Sequence, residues 1–183
     1  MLEIIKADLY RYRPFKYSLS NLIIGFRSQG FRYMFFKRLK DHYGKKTIVG
    51  IIAKIFLRNF TYKYGFQIGG KIGEGFYIGH FGTIIVNDDV SIGKNCNIAP
   101  GVTIGVTRRG TKKGVPKLGD YVWIGTNAII VGKIEIGNNV MIAPGAFVNF
   151  DVPCNSIVIG NPGRIISKEN ATLGYINNIL NEN

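Results

Sequence analysis

The sequence predicts a mainly β fold, a parallel β-helix built from six-residue units and preceded by a helical N-terminal segment. Three observations predict it: aliphatic residues recur every six positions, glycine reaches 24 residues, and the composition changes near residue 64. The 183 residues, 46% of them hydrophobic, suffice for one ordinary domain with a small extension. We therefore expect a basic helical segment at 1–63, the β-helix at 64–168 with an extended loop at 106–116, and a helical tail at 169–183.

The six-residue period defines the β-helix. The aliphatic series begins at Ile72, shifts by two residues after Ile84, and continues beyond a loop in six consecutive positions: Leu118, Ile124, Ile130, Ile136, Ile142 and Val148. This period fits neither a helix nor an ordinary strand, but it fits a short strand followed by a sharp corner. Three six-residue units, or 18 residues, close a triangular coil, and successive coils stack as parallel strands with the aliphatic side chains inward. Glycine and asparagine at the corners tolerate positive φ.

Residues 1–63 carry most of the net charge. They hold 14 Lys/Arg against 3 Asp/Glu, whereas residues 64–183 hold 10 against 8. Apolar residues at three- and four-residue steps predict helices around Phe31–Leu39 and Ile48–Phe60. A basic, aromatic segment is typical of nucleic-acid binding, of an interfacial membrane helix, or of a helical cap with solvated cations. We favour the cap and expect no nucleic-acid partner; peripheral contact of this segment with an anionic membrane surface stays open.

Several classes of protein are excluded by composition. No apolar run reaches the roughly 20 residues of a membrane span. The start of the chain lacks the uninterrupted apolar core of a signal peptide. Cys96 and Cys154 lie far apart, with no His or Cys at metal-ligand spacing, so we expect free thiols and no metal. These features predict a cytoplasmic protein, at most peripheral at the inner membrane face.

Two interruptions of the repeat are candidates for function. The loop Val106–Pro116 adds eight residues to one unit and contains no acid but four cations: Arg108, Arg109, Lys112 and Lys113. Such a loop suits a phosphate-bearing ligand, although a solvated basic loop is nearly as good an interpretation. The second candidate is His80, which follows Ile78 by two positions and is one of only two histidines. Histidine is the side chain best suited to general-base chemistry near neutral pH.

Residues 72–166 resemble the hexapeptide-repeat acyltransferases, whose closing signature is similar to Val158–Ile166 and whose repeats contain segments like Pro100–Gly105. Within that superfamily the likeness is to serine acetyltransferases and related surface-polysaccharide O-acetyltransferases. Four segments carry it: His80 with Ile84–Val86, Asp120–Thr126, Pro144–Ala146, and Gln29–Leu39 upstream. The resemblance implies a left-handed parallel β-helix, a homotrimer or a dimer of trimers, and acetyl-CoA as co-substrate without a metal.

The resemblance also implies roles for individual residues. His80 matches the catalytic histidine of the serine acetyltransferase branch, and the basic loop offers no alternative histidine. Arg164 and Lys168, which is four positions further along the chain, would both contact the nucleotide phosphates of the cofactor. The positions that match the family's CoA groove, which lies between adjacent subunits, are Gly105, Thr126, Pro144, Asn149 and Arg164.

Two departures from serine acetyltransferases concern the acceptor. Those enzymes orient the catalytic histidine with an aspartate, where this chain has Gln67, and carry a second histidine where it has Val115. Gln67 is thus the orienting candidate, with three acids as substitutes: Glu74, Asp88 and Asp89. We therefore expect an O-acetyltransferase whose acceptor is a sugar hydroxyl in surface-polysaccharide biosynthesis. The alternatives are serine O-acetylation in cysteine biosynthesis and a non-catalytic β-helix scaffold.

Overall fold

The computed structural model describes residues 1–14, 17–44 and 46–180. Four helices open the chain: α1 (Leu2–Tyr12), α2 (Leu19–Gly25), α3 (Gln29–Tyr43) and α4 (Ile48–Tyr64). Fifteen short strands follow: β1 (Phe66–Ile68), β2 (Lys71–Ile72), β3 (Tyr77–Ile78), β4 (Ile84–Val86), β5 (Ser91–Ile92), β6 (Asn97–Ile98), β7 (Thr103–Gly105), β8 (Lys117–Leu118), β9 (Val122–Ile124), β10 (Ile129–Val131), β11 (Glu135–Ile136), β12 (Val140–Ile142), β13 (Phe147–Val148), β14 (Ser156–Ile159) and β15 (Arg164–Ser167).

The strands form the three walls of a parallel β-helix. Their orders are β1-β4-β7-β10-β13, β2-β5-β8-β11 and β3-β6-β9-β12-β14-β15, and only the last pair is antiparallel. Ile84 lies opposite Phe66, 18 residues earlier, as the repeat predicts. Ile129 lies opposite Thr103 at a spacing of 26 residues, because the loop adds eight residues to that coil. The predicted fold class, a β-helix of about five coils behind a helical segment, is confirmed.

Most units point two side chains into the core. In the predicted aliphatic series Ile72 is partly buried, and the later members are buried in ladders such as Ile78, Ile98, Ile124 and Ile142. The position two residues earlier in the later units is buried as well, and it holds Phe76, Val90, Cys96, Val102, Val122, Ala128, Ile134, Val140, Ala146 and Ser156. Continuous burial of both positions supplies the hydrophobic stabilisation of the coils.

Two corners of the first coil differ in length from those above. Ile78 and Val86 are eight residues apart, whereas their partners Ile98 and Ile104 are six apart. The corner that contains His80 therefore has two extra residues, which causes the shift in the sequence period after Ile84. The opposite change occurs between β1 and β2, where the corner is two residues shorter than its counterpart between β4 and β5.

The helices cover the open edge of the first coil. An exposed strand edge leaves backbone groups unpaired and invites association, so natural proteins cover it. Here side chains of α1 and α3 donate to successive carbonyl oxygens: Lys37 to Gly70, Arg38 to Ile72 and Gly73, Arg11 to Gly75, and Tyr12 to Ile78. The Gly30 backbone of α3 approaches Ile78 so closely that a Cβ would overlap the Ile78 carbonyl oxygen. These hydrogen bonds between helix side chains and carbonyl oxygens hold the predicted helical cap on the first coil.

One ion pair at this junction is buried. The Arg38 guanidinium donates from Nε to Asp8 Oδ2 over 2.9 Å and from a second nitrogen to Oδ1 over 3.2 Å. The Phe76 N–H also donates to Asp8, over 3.0 Å. Asp8 is 1% exposed and Arg38 7%. Burial raises the pKa of Asp8, and the Arg38 charge opposes that rise.

The helical tail expected at 169–183 is wrong for the described residues 169–180. They form turns, because three residues in the left-handed region interrupt any helix: Asn170, Gly174 and Asn178. The segment packs on the β-helix instead, with Thr172 bonded to Asn139 and the Tyr175 ring on Trp123. The helical segment ends at Tyr64, one residue past the expected boundary, where Gly65 adopts φ +78°. Within the described ranges, none of the helices is both long and apolar enough to cross a membrane.

Candidate active site

His80 lies at the lengthened corner between β3 and β4, and its side chain is exposed. The corner is fixed from two sides. The Gly82 N–H donates to the Tyr64 carbonyl at the end of α4 over 3.0 Å. Gly82 itself has φ +142°, and a Cβ there would lie 3.0 Å from Pro100 of the next coil. Among the described residues no side chain bonds to the imidazole, which leaves both ring nitrogens open to a ligand.

The orienting candidates do not contact His80. Gln67 is exposed on the outer face of β1, where it lines a cavity with Tyr33, Thr61 and Asp88. Glu74 forms an ion pair with Lys94, Oε1 to Nζ, at 2.8 Å. The described part of the chain therefore shows no side chain that positions the imidazole by a hydrogen bond.

Two backbone hydrogen bonds close the basic loop, and one ion pair holds it against the β-helix. Thr107 and Gly114 exchange two backbone hydrogen bonds of 2.9 Å, which close the loop as a narrow hairpin. Lys112 Nζ contacts Asp151 Oδ2 of the fifth coil at 2.9 Å. The Glu135 N–H, which donates to the same carboxylate, lowers the pKa of Asp151, and the contact with Lys112 lowers it further. The other three cations are exposed: Arg108, Arg109 and Lys113.

The expected cofactor residues fall at two edges of one wall. Thr126 and Pro144 occupy the same corner as His80, on the third and fourth coils, and the Gly145 N–H donates to the Thr126 carbonyl over 2.8 Å. Gly105 and Asn149 lie at the other edge, at the carboxyl ends of β7 and β13, where the basic loop begins. Arg164 and Lys168 are exposed at the closing hairpin. A single chain therefore separates these residues into two groups, with a strand of about 10 Å between them.

The exposed Phe81 beside His80 was missed by the sequence reasoning. Its side chain is 62% exposed, so the ring is available to a ligand at the corner of the candidate base. The only sequence signal is its position directly after the histidine in a glycine-flanked corner.

A comparison with protein families matches residues 116–149 to the bacterial transferase hexapeptide model of six repeats. The serine acetyltransferase of Synechococcus elongatus is 38% identical over 98 residues, 54% of this chain and 40% of that protein. That of Staphylococcus aureus strain Mu50 is 33% identical over 132 residues, 72% of this chain and 62% of that protein.

Solved structures agree. The serine acetyltransferase of Neisseria gonorrhoeae superposes with a TM-score of 0.73 at 27% identity, covering 92% of this chain and 66% of that one. The chain is thus similar to hexapeptide-repeat acyltransferases of the serine acetyltransferase type in its repeats, its sequence and its fold. The Brucella abortus serine acetyltransferase in complex with coenzyme A gives a TM-score of 0.75 at 27% identity, covering 92% of this chain and 68% of that one.

These relatives bear on the sequence predictions. The family resemblance is confirmed, and the serine acetyltransferase alternative fits the comparisons better than the polysaccharide interpretation does. The chain spans 40% and 62% of the length of these two curated relatives.

Proposed function

We propose that this chain is an acetyl-CoA-dependent O-acetyltransferase of the serine acetyltransferase type, with His80 as the general base. The observation that carries the proposal is an exposed imidazole on a lengthened corner of the β-helix, which a hydrogen bond from Gly82 to the end of α4 holds in place. The complex of the Brucella relative with coenzyme A supports acetyl-CoA as the co-substrate.

The proposed reaction is a direct transfer. The His80 imidazole takes the proton of an acceptor hydroxyl while the hydroxyl oxygen attacks the thioester carbonyl carbon. The carbon–sulfur bond of the tetrahedral intermediate then breaks, and the CoA sulfur receives the proton from the imidazolium. The products are an acetyl ester and free CoA thiol. General-base assistance of this kind contributes roughly 10²–10⁴-fold, and binding both substrates in contact supplies much of the remainder.

A trimer, or a dimer of trimers, is part of the proposal because the candidate residues lie at two edges of one wall. In a symmetric assembly the His80 edge of one copy can meet the loop edge of the next, which joins the two groups into one groove. Arg164, Lys168 and the exposed loop cations would then meet the phosphates of the cofactor, since guanidinium and ammonium groups are the usual phosphate partners. Arg164→Ala should weaken CoA binding in isothermal titration, and unchanged affinity would remove that assignment.

L-Serine is the acceptor that the comparisons favour. A sugar hydroxyl is the second candidate, and specific residues favour it. Gln67 and Val115 stand where serine acetyltransferases have an aspartate and a second histidine. Phe81 adds an exposed apolar ring beside the base, which suits an acceptor larger than serine.

A thiol-release assay with acetyl-CoA tests the proposal. Wild type is assayed with L-serine and with a panel of sugar acceptors, beside His80→Ala and the control His42→Ala on α3. We expect His80→Ala to lower turnover at least a hundredfold with CoA affinity retained, and His42→Ala to leave turnover unchanged. Near-normal turnover of His80→Ala would refute the role of the base. No transfer by wild type to any acceptor would favour the scaffold alternative.

A further inference from the structure

Helix α4 is apolar on both of its faces. Its inner face is buried against the rest of the protein through Gly50, Ala53, Leu57, Phe60 and Tyr64. Its outer face, defined here as Ile48, Ile51, Ile52, Ile55 and Tyr62, is exposed, with Ile48 at 79% and Ile55 at 63%. A helix that is hydrophobic on all sides is normally covered on all sides. Ile48, Ile51, Ile52 and Ile55 adjoin one another along the helix, and an exposed apolar band of this kind marks an interaction surface.

The outer face is bordered by positive charge. Lys54, Arg58 and Lys63 are exposed on α4, and the helix contains no acid. None of these three cations enters an ion pair with any part of the chain that the structure describes. The acids of residues 1–63 already contact cations of α1 and α3: Glu3 with Lys6, Asp8 with Arg38, and Asp41 with Lys37 and Lys40. A partner that supplies negative charge as well as an apolar surface would therefore complement this face.

Two partners are compared for this face, a second copy of the chain and an anionic bilayer. A second copy related by a two-fold axis through this face would set these cations against the same cations, which is unfavourable without acids between them. An anionic bilayer supplies both the apolar surface and the negative charge, because aliphatic side chains enter the acyl boundary while Lys and Arg contact lipid phosphates. We propose that the outer face of α4 is a docking surface for an anionic lipid membrane.

The docking surface adjoins the candidate base. The α4 helix ends at Tyr64, whose carbonyl accepts from Gly82 over 3.0 Å, and Gly82 follows His80 by two residues. The last turn of α4, which carries Tyr62 of the outer face, thus lies at the His80 corner. This step rests on the second acceptor of the proposed function, a sugar hydroxyl, and points to a sugar carried on a lipid-anchored molecule.

Vesicle co-sedimentation of the full chain tests the surface. Vesicles of phosphatidylcholine with about one third phosphatidylglycerol are compared with pure phosphatidylcholine, at low and at high salt. We expect sedimentation with the anionic vesicles at low salt only. Ile55→Glu should lower the partition coefficient at least tenfold, and Lys54→Gln with Arg58→Gln should lower it about 25-fold. The matched control Leu173→Glu, at a position 79% exposed in the C-terminal turns, should bind as wild type does.

Several outcomes would overturn the proposal. Wild type that stays in the supernatant with anionic vesicles contradicts it, as does equal loss of binding in Ile55→Glu and Leu173→Glu. A lower sedimenting mass of Ile55→Glu without vesicles, combined with no vesicle binding by wild type, would identify a contact between copies instead. His80→Ala should bind vesicles normally, so failure of the catalytic proposal and failure of the membrane proposal give different results.

Discussion

The buried pair of Asp8 and Arg38 should be the most sensitive polar contact of the molecule. In Arg38→Met the Asp8 carboxylate keeps the Phe76 N–H but loses both guanidinium bonds, and the Ile72 and Gly73 carbonyls lose their side-chain donor. Removing one partner of a buried ion pair costs about 3–5 kcal/mol. In a chain of this size each kcal/mol lowers Tm by roughly 2–4 °C, so we expect a decrease of about 10 °C.

Thermal unfolding followed by circular dichroism, at one protein concentration, measures this loss. The control is Lys40→Met on the same helix, which removes an equal charge from the ion pair with Asp41 at 3.0 Å. Because Lys40 and Asp41 are partly exposed, that variant should lose less than about 1 kcal/mol. Equal destabilisation of the two variants would refute the importance of the buried pair.

A pH series adds a readout that packing alone would not change. Burial raises the pKa of Asp8 and Arg38 counteracts it, so without Arg38 the folded-state pKa lies further above the unfolded value of about 3.9. A raised carboxyl pKa means that stability is greatest at low pH and is lost as pH rises through the folded pKa. The deficit of Arg38→Met relative to wild type should therefore be smaller at pH 5 than at pH 8. A deficit independent of pH would show that lost packing, rather than an unpaired carboxylate, causes it.

Two further predictions concern thiols and the loop. Cys96 is fully buried, and burial raises its pKa to about 12, whereas Cys154 is exposed. A thiol reagent should therefore modify one cysteine in the native protein and two after unfolding. Rapid modification of both cysteines in the native state would contradict this. Asp151→Asn keeps the Glu135 N–H bond but removes the charge opposite Lys112, so trypsin should cleave the loop several-fold faster than in the charge-matched control Glu135→Gln. Since the folded pKa of Asp151 is lowered, the wild-type contact persists above about pH 4 and is lost as pH falls through that lowered value.

The coils could be predicted from sequence because one buried position per unit holds almost only isoleucine, leucine or valine. The second inward position was invisible, because it ranges from Phe76 to Ala128 and Ser156 and so has no uniform hydrophobic pattern. The edge contacts of the helices were also out of reach. Arg38 and Arg11 read as solvated cations in a basic segment, and only the fold brings the carbonyls of the first coil to them. Long-range pairing of this kind has no local period.

The candidate site divides in the same way. The resemblance matched Gly105 and Thr126 one by one, but a linear match carries no distance, and the fold sets them at opposite edges of one wall. In the proposed assembly a second copy would bring them together, and the sequence holds no local signal of that contact. His80 is different, since its corner contains two extra residues and that insertion is visible as the shift of the period after Ile84. Two extra residues interrupt the regular packing of one coil on the next. That this interruption lies beside the one exposed histidine of the described β-helix independently supports a functional role for the corner.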